Sequence, residues 1–133
     1  MTLRTARAGV TAAAACLAIA GAALLFAPHE VAGLIGVPGP DVLLQLFGAA
    51  LLGLASMNHI ARGSILGGIY GRAVVAADQV HFTIGALALC SHAVRSPVEP
   101  VFWIAVATYA AGAVFFNLLL FRGTDSPSAE TRR

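Results

Sequence analysis

The chain has 133 residues, 59% of them hydrophobic and only 11% charged, with a formal net charge of +2 and a mean hydropathy of +0.85. A soluble domain carries about 25% charged residues, so this composition excludes an ordinary soluble fold, and disorder would need the opposite bias. Nucleic-acid binding is excluded as well, because eight arginines against six acids build no basic face.

What remains is one all-α integral membrane domain over residues 1–122. Crossing the hydrocarbon core takes about 20 apolar residues, and four such runs follow in chain order. The first, 8–27, is preceded by Arg4 and Arg7 and ends at Pro28. It has the ingredients of a signal peptide but is too long for an h-region and lacks a clear cleavage pattern, so we expect a retained first span. Residues 28–40 carry Pro28, Gly33, Gly36, Pro38, Gly39 and Pro40 and read as a connection with at most a short interfacial turn at 31–35. Asp41 is placed to cap the second span, 42–61, and Arg62-Gly63 to end it. The glycine-rich stretch RGSILGGIYGR (62–72) reads as a loop. The third span, 73–92, is interrupted by Asp78, Gln79 and His81 and closed by Ser96-Pro97-Val98-Glu99-Pro100. The fourth covers 101–121, and the polar remainder, 123–133, is expected to be a disordered cytoplasmic tail.

Cytoplasmic flanks retain arginine. Arg4, Arg7, Arg62, Arg72, Arg122, Arg132 and Arg133 fall on one side and Arg95 on the other, so the expected bundle runs up-down-up-down with both termini in the cytoplasm. All eight cations are Arg, and Ala and Gly abound, which points to a bacterial chain and hence to the inner membrane. Cys16 and Cys90 form no CxxC pair, fall at different depths, and are expected to be small buried apolar side chains.

Of fourteen charged residues, only Asp78 falls well inside a span. Ionisable groups at such depth face the protein interior and call for a functional reading. At about 1.5 Å per residue, Asn58 and His59, Asp78 and His81, and Asn117 fall in one cytoplasmic-side layer, above Arg62, Tyr70 and Arg72. Asp78 and His81 share a helical face with Gly85, Ala88 and His92. That small and polar stripe is expected to face the bundle opposite Ala110, Ala113 and Asn117, leaving Val75, Phe82 and Leu89 toward lipid or the remaining helix. A carboxylate beside an imidazole can fix register, relay a proton or orient a bound headgroup. A metal would require His59, Asp78 and His81 to converge. Arg62 and Arg72 can hold an anionic headgroup or simply set topology. The sequence contains no Walker loop and no hydrolytic constellation.

The stretches QLFGAALLGLASMNHIARGS (45–64) and GGIYGRAVVAADQVHFTIGAL (67–87) resemble the small four-span bacterial membrane proteins grouped as DoxX-like. The resemblance implies a compact four-helix membrane bundle. Some relatives are similar to accessory or quinone-linked redox subunits, although this chain departs from a redox role in having no cysteine pair. Two functions therefore stand as expectations. The first is a non-enzymatic accessory or ligand-binding bundle without a resident cofactor, partnered by the bilayer, by a second copy or by another membrane protein. The second is a redox or quinone-binding component in which His81 and Asp78 exchange a proton with a bound headgroup. A transporter would need a homo-oligomer, because no second repeat is present.

Overall fold

A computed structural model describes residues 2–63 and 69–122. The described residues form five helices, α1 (Leu3–Phe26), α2 (Pro28–Ile35), α3 (Asp41–Ala61), α4 (Ile69–Arg95) and α5 (Phe102–Arg122), and no strand. Four of them are long and apolar enough to cross a membrane, over Leu3–Phe26, Asp41–Ala61, Gly71–Arg95 and Phe102–Phe121. The expected tail and the centre of the 62–72 loop, 64–68, lie outside the described residues.

Each helix begins and ends for local reasons. In α1 the Thr2 hydroxyl accepts from the Thr5 amide at 3.2 Å, capping a run of alanines and leucines with high helix propensity. The connection expected at 28–40 contains a full helix instead. Pro28 starts α2, where its missing N–H costs nothing, and Gly36 ends it at φ 69°, a left-handed conformation that glycine adopts without penalty. The Glu99 side chain packs over Gly36, with its Cγ 3.0 Å from where a Cβ would stand, so the first connection touches the last. Asp41 is the first helical residue of α3 rather than its cap. Pro40 occupies the cap position and no side chain bonds there, which leaves the Asp41 carboxylate to act only through the helix dipole. Likewise α4 starts at Ile69, not at 73, because the final turn of the glycine-rich stretch joins the span.

Two helix pairs make up the bundle. On α1 the buried line is Ala6, Val10, Ala14, Leu17, Gly21 and Leu24, and on α3 it is Gly48, Leu51, Ala55 and Asn58. The backbones touch where Gly21 meets Gly48. A Cβ on Gly48 would stand 2.7 Å from the Gly21 carbonyl oxygen, and one on Gly21 would stand 2.8 Å from the Gly48 carbonyl oxygen. Near this crossing, the Gln45 amide donates to the Leu25 carbonyl at 3.3 Å. Lipid offers no hydrophobic drive for helices to associate, so such close approach is what makes a tight seam.

The α4–α5 seam is built from rings. Phe82 stacks on Phe116 with centroids 5.3 Å apart and planes at 10°, and it tilts against Tyr109 at 5.3 Å. Gly85 and Gly112 lie directly beneath the Tyr109 and Phe82 rings. Val75 and Phe82 are therefore core residues, where lipid contact was one of two expectations, while Ala88, His92 and Ala110 are exposed. The inward line of α4 runs through Val75, Asp78 and Phe82, which rotates the expected stripe by about one residue position.

Both cysteines are exposed on the helix surface, against the expectation of burial. Cys16 falls between Ala14 and Leu17 of the α1 inward line, and a small thiol facing lipid pays no hydrophobic penalty that would drive it into the core.

Candidate functional site

Polar side chains inside this bundle sort into three groups. The deepest is a pair. Asn58, one turn from the end of α3, and Asp78, on the inward line of α4, are both 0% exposed. The Asn58 amide nitrogen donates to Asp78 Oδ1 at 2.9 Å and to the Leu54 carbonyl, one turn back, at 3.1 Å. Both its hydrogens are thereby used. Asp78 Oδ2 and Asn58 Oδ1 are left with no hydrogen-bond partner among the described residues.

The second group joins α4 to α5. Gln79 donates to Asn117 Oδ1 at 3.3 Å and to the Thr83 hydroxyl at 3.4 Å. Asn117 donates to the same hydroxyl at 3.1 Å and to the Ala113 carbonyl at 2.7 Å. These half-buried side chains bond one another, and Thr83 and Asn117 border an open cleft of about 380 Å³ completed by Ala113, Val114, Leu118 and Phe121.

His81 forms the third group with Tyr109, their Nε2 and Oη atoms 3.2 Å apart, and the two rings lie 5.3 Å from each other. The expected partnership of Asp78 with His81 is therefore replaced by two separate ones. The i,i+3 spacing puts both residues near one face, but Asp78 points toward α3 and His81 toward α5. Gln79, Thr83 and Tyr109 were missed as site residues. The i,i+4 spacing of Gln79 and Thr83 inside an apolar span was the available signal, since two polar groups at that spacing share a helix face.

His59 and Arg62 stay outside the buried layer. Both are exposed, and the Arg62 Nη1 lies 2.9 Å from His59 Nε2. They close one end of a groove of about 520 Å³ between α1 and α3. Its walls are small or apolar, with Ala14, Ala15, Ala18, Leu52 and Ala55 along its length and Thr11 and Ser56 adding hydroxyls. Those hydroxyls are spoken for, because Thr11 donates to the Arg7 carbonyl at 2.8 Å and Ser56 to the Leu52 carbonyl at 2.9 Å. Arg72 is exposed on the second turn of α4, and the Tyr70 side chain lies outside the described residues. Among the described residues no three His, Cys, Asp or Glu side chains group to hold a metal, so His59, Asp78 and His81 do not converge.

The expected single layer is thus a buried acid–amide pair, a mutually bonded amide–hydroxyl network, and a cation at the mouth of an apolar groove. Among the described residues, only the last presents unused donors beside a groove. Comparison of the chain with protein-family models, curated proteins and solved structures finds no match.

Proposed function

We propose that this is a multi-pass protein of the bacterial inner membrane, threaded up-down-up-down with both termini cytoplasmic, that binds an anionic lipid in the α1–α3 groove as an accessory bundle. The DoxX-like resemblance of 45–64 and 67–87 agrees with a role of this kind. The observation that carries the reading is the groove itself. It is lined by small side chains, offers room for an acyl chain, and has Arg62 and His59 at one end and no acidic residue among its lining. Arginine gives a phosphate two parallel donors in a fixed fork, and the seven-to-one arginine distribution sets that end at the cytoplasmic headgroup depth. The redox alternative has less support, because Asp78 bonds Asn58 and neither Asp78 nor His81 lines this groove.

Native mass spectrometry tests the reading on protein extracted in mild detergent and exchanged into mixtures of phosphatidylglycerol and phosphatidylcholine. Wild type should retain phosphatidylglycerol preferentially. Arg62→Gln should equalise the two lipids, and Ala15→Phe, which fills the groove from its exposed wall, should lower retention of both. Unchanged retention in both variants would refute the lipid site. A quinone retained in place of lipid would transfer the reading to the redox component.

A further inference from the structure

The Asn58–Asp78 pair contains an imbalance that the proposed lipid site does not use. Two fully buried oxygens, Asp78 Oδ2 and Asn58 Oδ1, both lack a hydrogen-bond partner among the described residues. Each belongs to a group whose other polar atom already bonds across the pair, through Asn58 Nδ2 and Asp78 Oδ1 at 2.9 Å. Two acceptors facing a shortage of donors, in a place water does not reach, are what a missing donor leaves behind. Orphaned buried polar atoms are rare in folded proteins and call for an explanation.

Among the described residues no cationic side chain supplies that donor. Arg7 on α1, His59 on α3, Arg62 just after it and Arg72 on α4 are all exposed, and His81 is engaged with Tyr109. No ion pair involving Asp78 occurs among the described residues. An ionised Asp78 here would be a buried charge held by a single amide hydrogen bond, a costly state in an apolar bundle.

We propose that a single proton sits between Asp78 and Asn58, so that acid and amide close a ring of two hydrogen bonds joining α3 to α4 with no charge in the bundle. The acid O–H donates to Asn58 Oδ1 while the amide N–H donates to Asp78 Oδ1. One added hydrogen satisfies both orphaned oxygens. A protonated carboxyl has this donor and an ionised one does not. The ring bonds the first helix pair to the second, and the two pairs also meet where the Phe115 ring lies over Gly9.

The experiment uses the full chain in detergent or nanodiscs at neutral pH. Infrared difference spectroscopy of the wild type should show the C=O stretch of a protonated carboxylic acid. Glu30, Asp41 and Glu99 are exposed, unlike Asp78. Asp78→Asn should remove the band yet keep the unfolding equilibrium within about 10-fold of wild type. The new amide offers one donor and one acceptor in the same ring, and its second N–H has the Val74 carbonyl one turn back as an acceptor, the i−4 bond that Asn58 makes to the Leu54 carbonyl. Absence of the band in wild type overturns the proposal, as does a band that persists in Asp78→Asn. A wild-type stability that rises on titration with sodium chloride but not with choline chloride also overturns it, since a bound cation would then be the missing partner. If Asp78→Asn fails to fold, the band is assigned in Asn58→Leu, where losing the amide partner should shift its frequency; a band unmoved there overturns the proposal.

Discussion

The tightest test of this architecture is at the Gly21–Gly48 crossing. In Gly48→Ala the new Cβ would stand 2.7 Å from the Gly21 carbonyl oxygen, where ordinary contact begins near 3.4 Å. The neighbours are backbone, 2.9 Å away at the Leu25 nitrogen as well, so no side chain can swing aside and the helices must part by about 0.7 Å. A radial gap of about 0.5–1 Å forfeits a quarter to a half of each dispersion contact, and overpacking of this kind costs about 1–3 kcal/mol. At about 1.4 kcal/mol per tenfold, that multiplies the unfolding constant roughly 5- to 150-fold. Reversible unfolding in mixed micelles with increasing dodecyl sulfate, followed by circular dichroism, measures it. Gly53→Ala, on the same helix with nothing within 4 Å of its added Cβ, is the control and should be neutral. The double substitution Gly21→Ala/Gly48→Ala should cost less than the two singles together, because the second methyl enters a gap the first has opened. A Gly48→Ala protein as stable as wild type, or a Gly53→Ala protein equally weakened, refutes backbone contact as the origin of this seam.

Other consequences are open to the same or simpler assays. Phe116 is fully buried and stacked on Phe82. Phe116→Ala should cost about 2–3 kcal/mol in the dodecyl sulfate titration, below the ~3–5 of water-soluble cores, because lipid is as apolar as the vacated site and only the packing loss remains. Asn117→Leu removes the hydrogen bonds that join α5 to Gln79 and Thr83 and should cost about 0.5–2 kcal/mol, the range of interhelical polar contacts in membranes. Adding Gln79→Leu to it should cost little more, and an additive cycle would break the network reading. In a Cys16→Ala/Cys90→Ala background, Ser96→Cys should react with an impermeant maleimide applied outside spheroplasts and Gly63→Cys should not. Labelling of both would overturn the proposed threading.

The spans were legible because apolar length is a property of composition, and their limits differ from expectation by only a few residues. The ends that differ from expectation are those at proline and glycine, whose effect on a helix depends on position within it. Pro28 begins α2 because the first turn has no N–H bond to lose, and Gly71 sits inside α4 because two residues ahead of it are already helical. Asp78 was identifiable as the one charge in a span, yet its partner was not. Sequence spacing ranks neighbours on one helix, where His81 is close, whereas Asn58 arrives from another helix through the rotation of both inward lines. The inward line of α4 was hard to find for a physical reason as well. In lipid both faces of a span are apolar, so polarity marks the interior only at Asp78, and the phenylalanine opposite a stripe of small residues is as good a core residue as any.

The pairing of helices also bears on assembly. α1 closes on α3, and α4 on α5, each partner being the next span along the chain, so most contacts are short-range in contact-order terms. The first hairpin can therefore mature during synthesis before the second emerges, and the late event is the docking of two finished halves across a sparse interface. Severing the chain between α3 and α4 should leave fragments that reassemble when made together, and a failure to recover the intact fold would show that the halves need each other from the start.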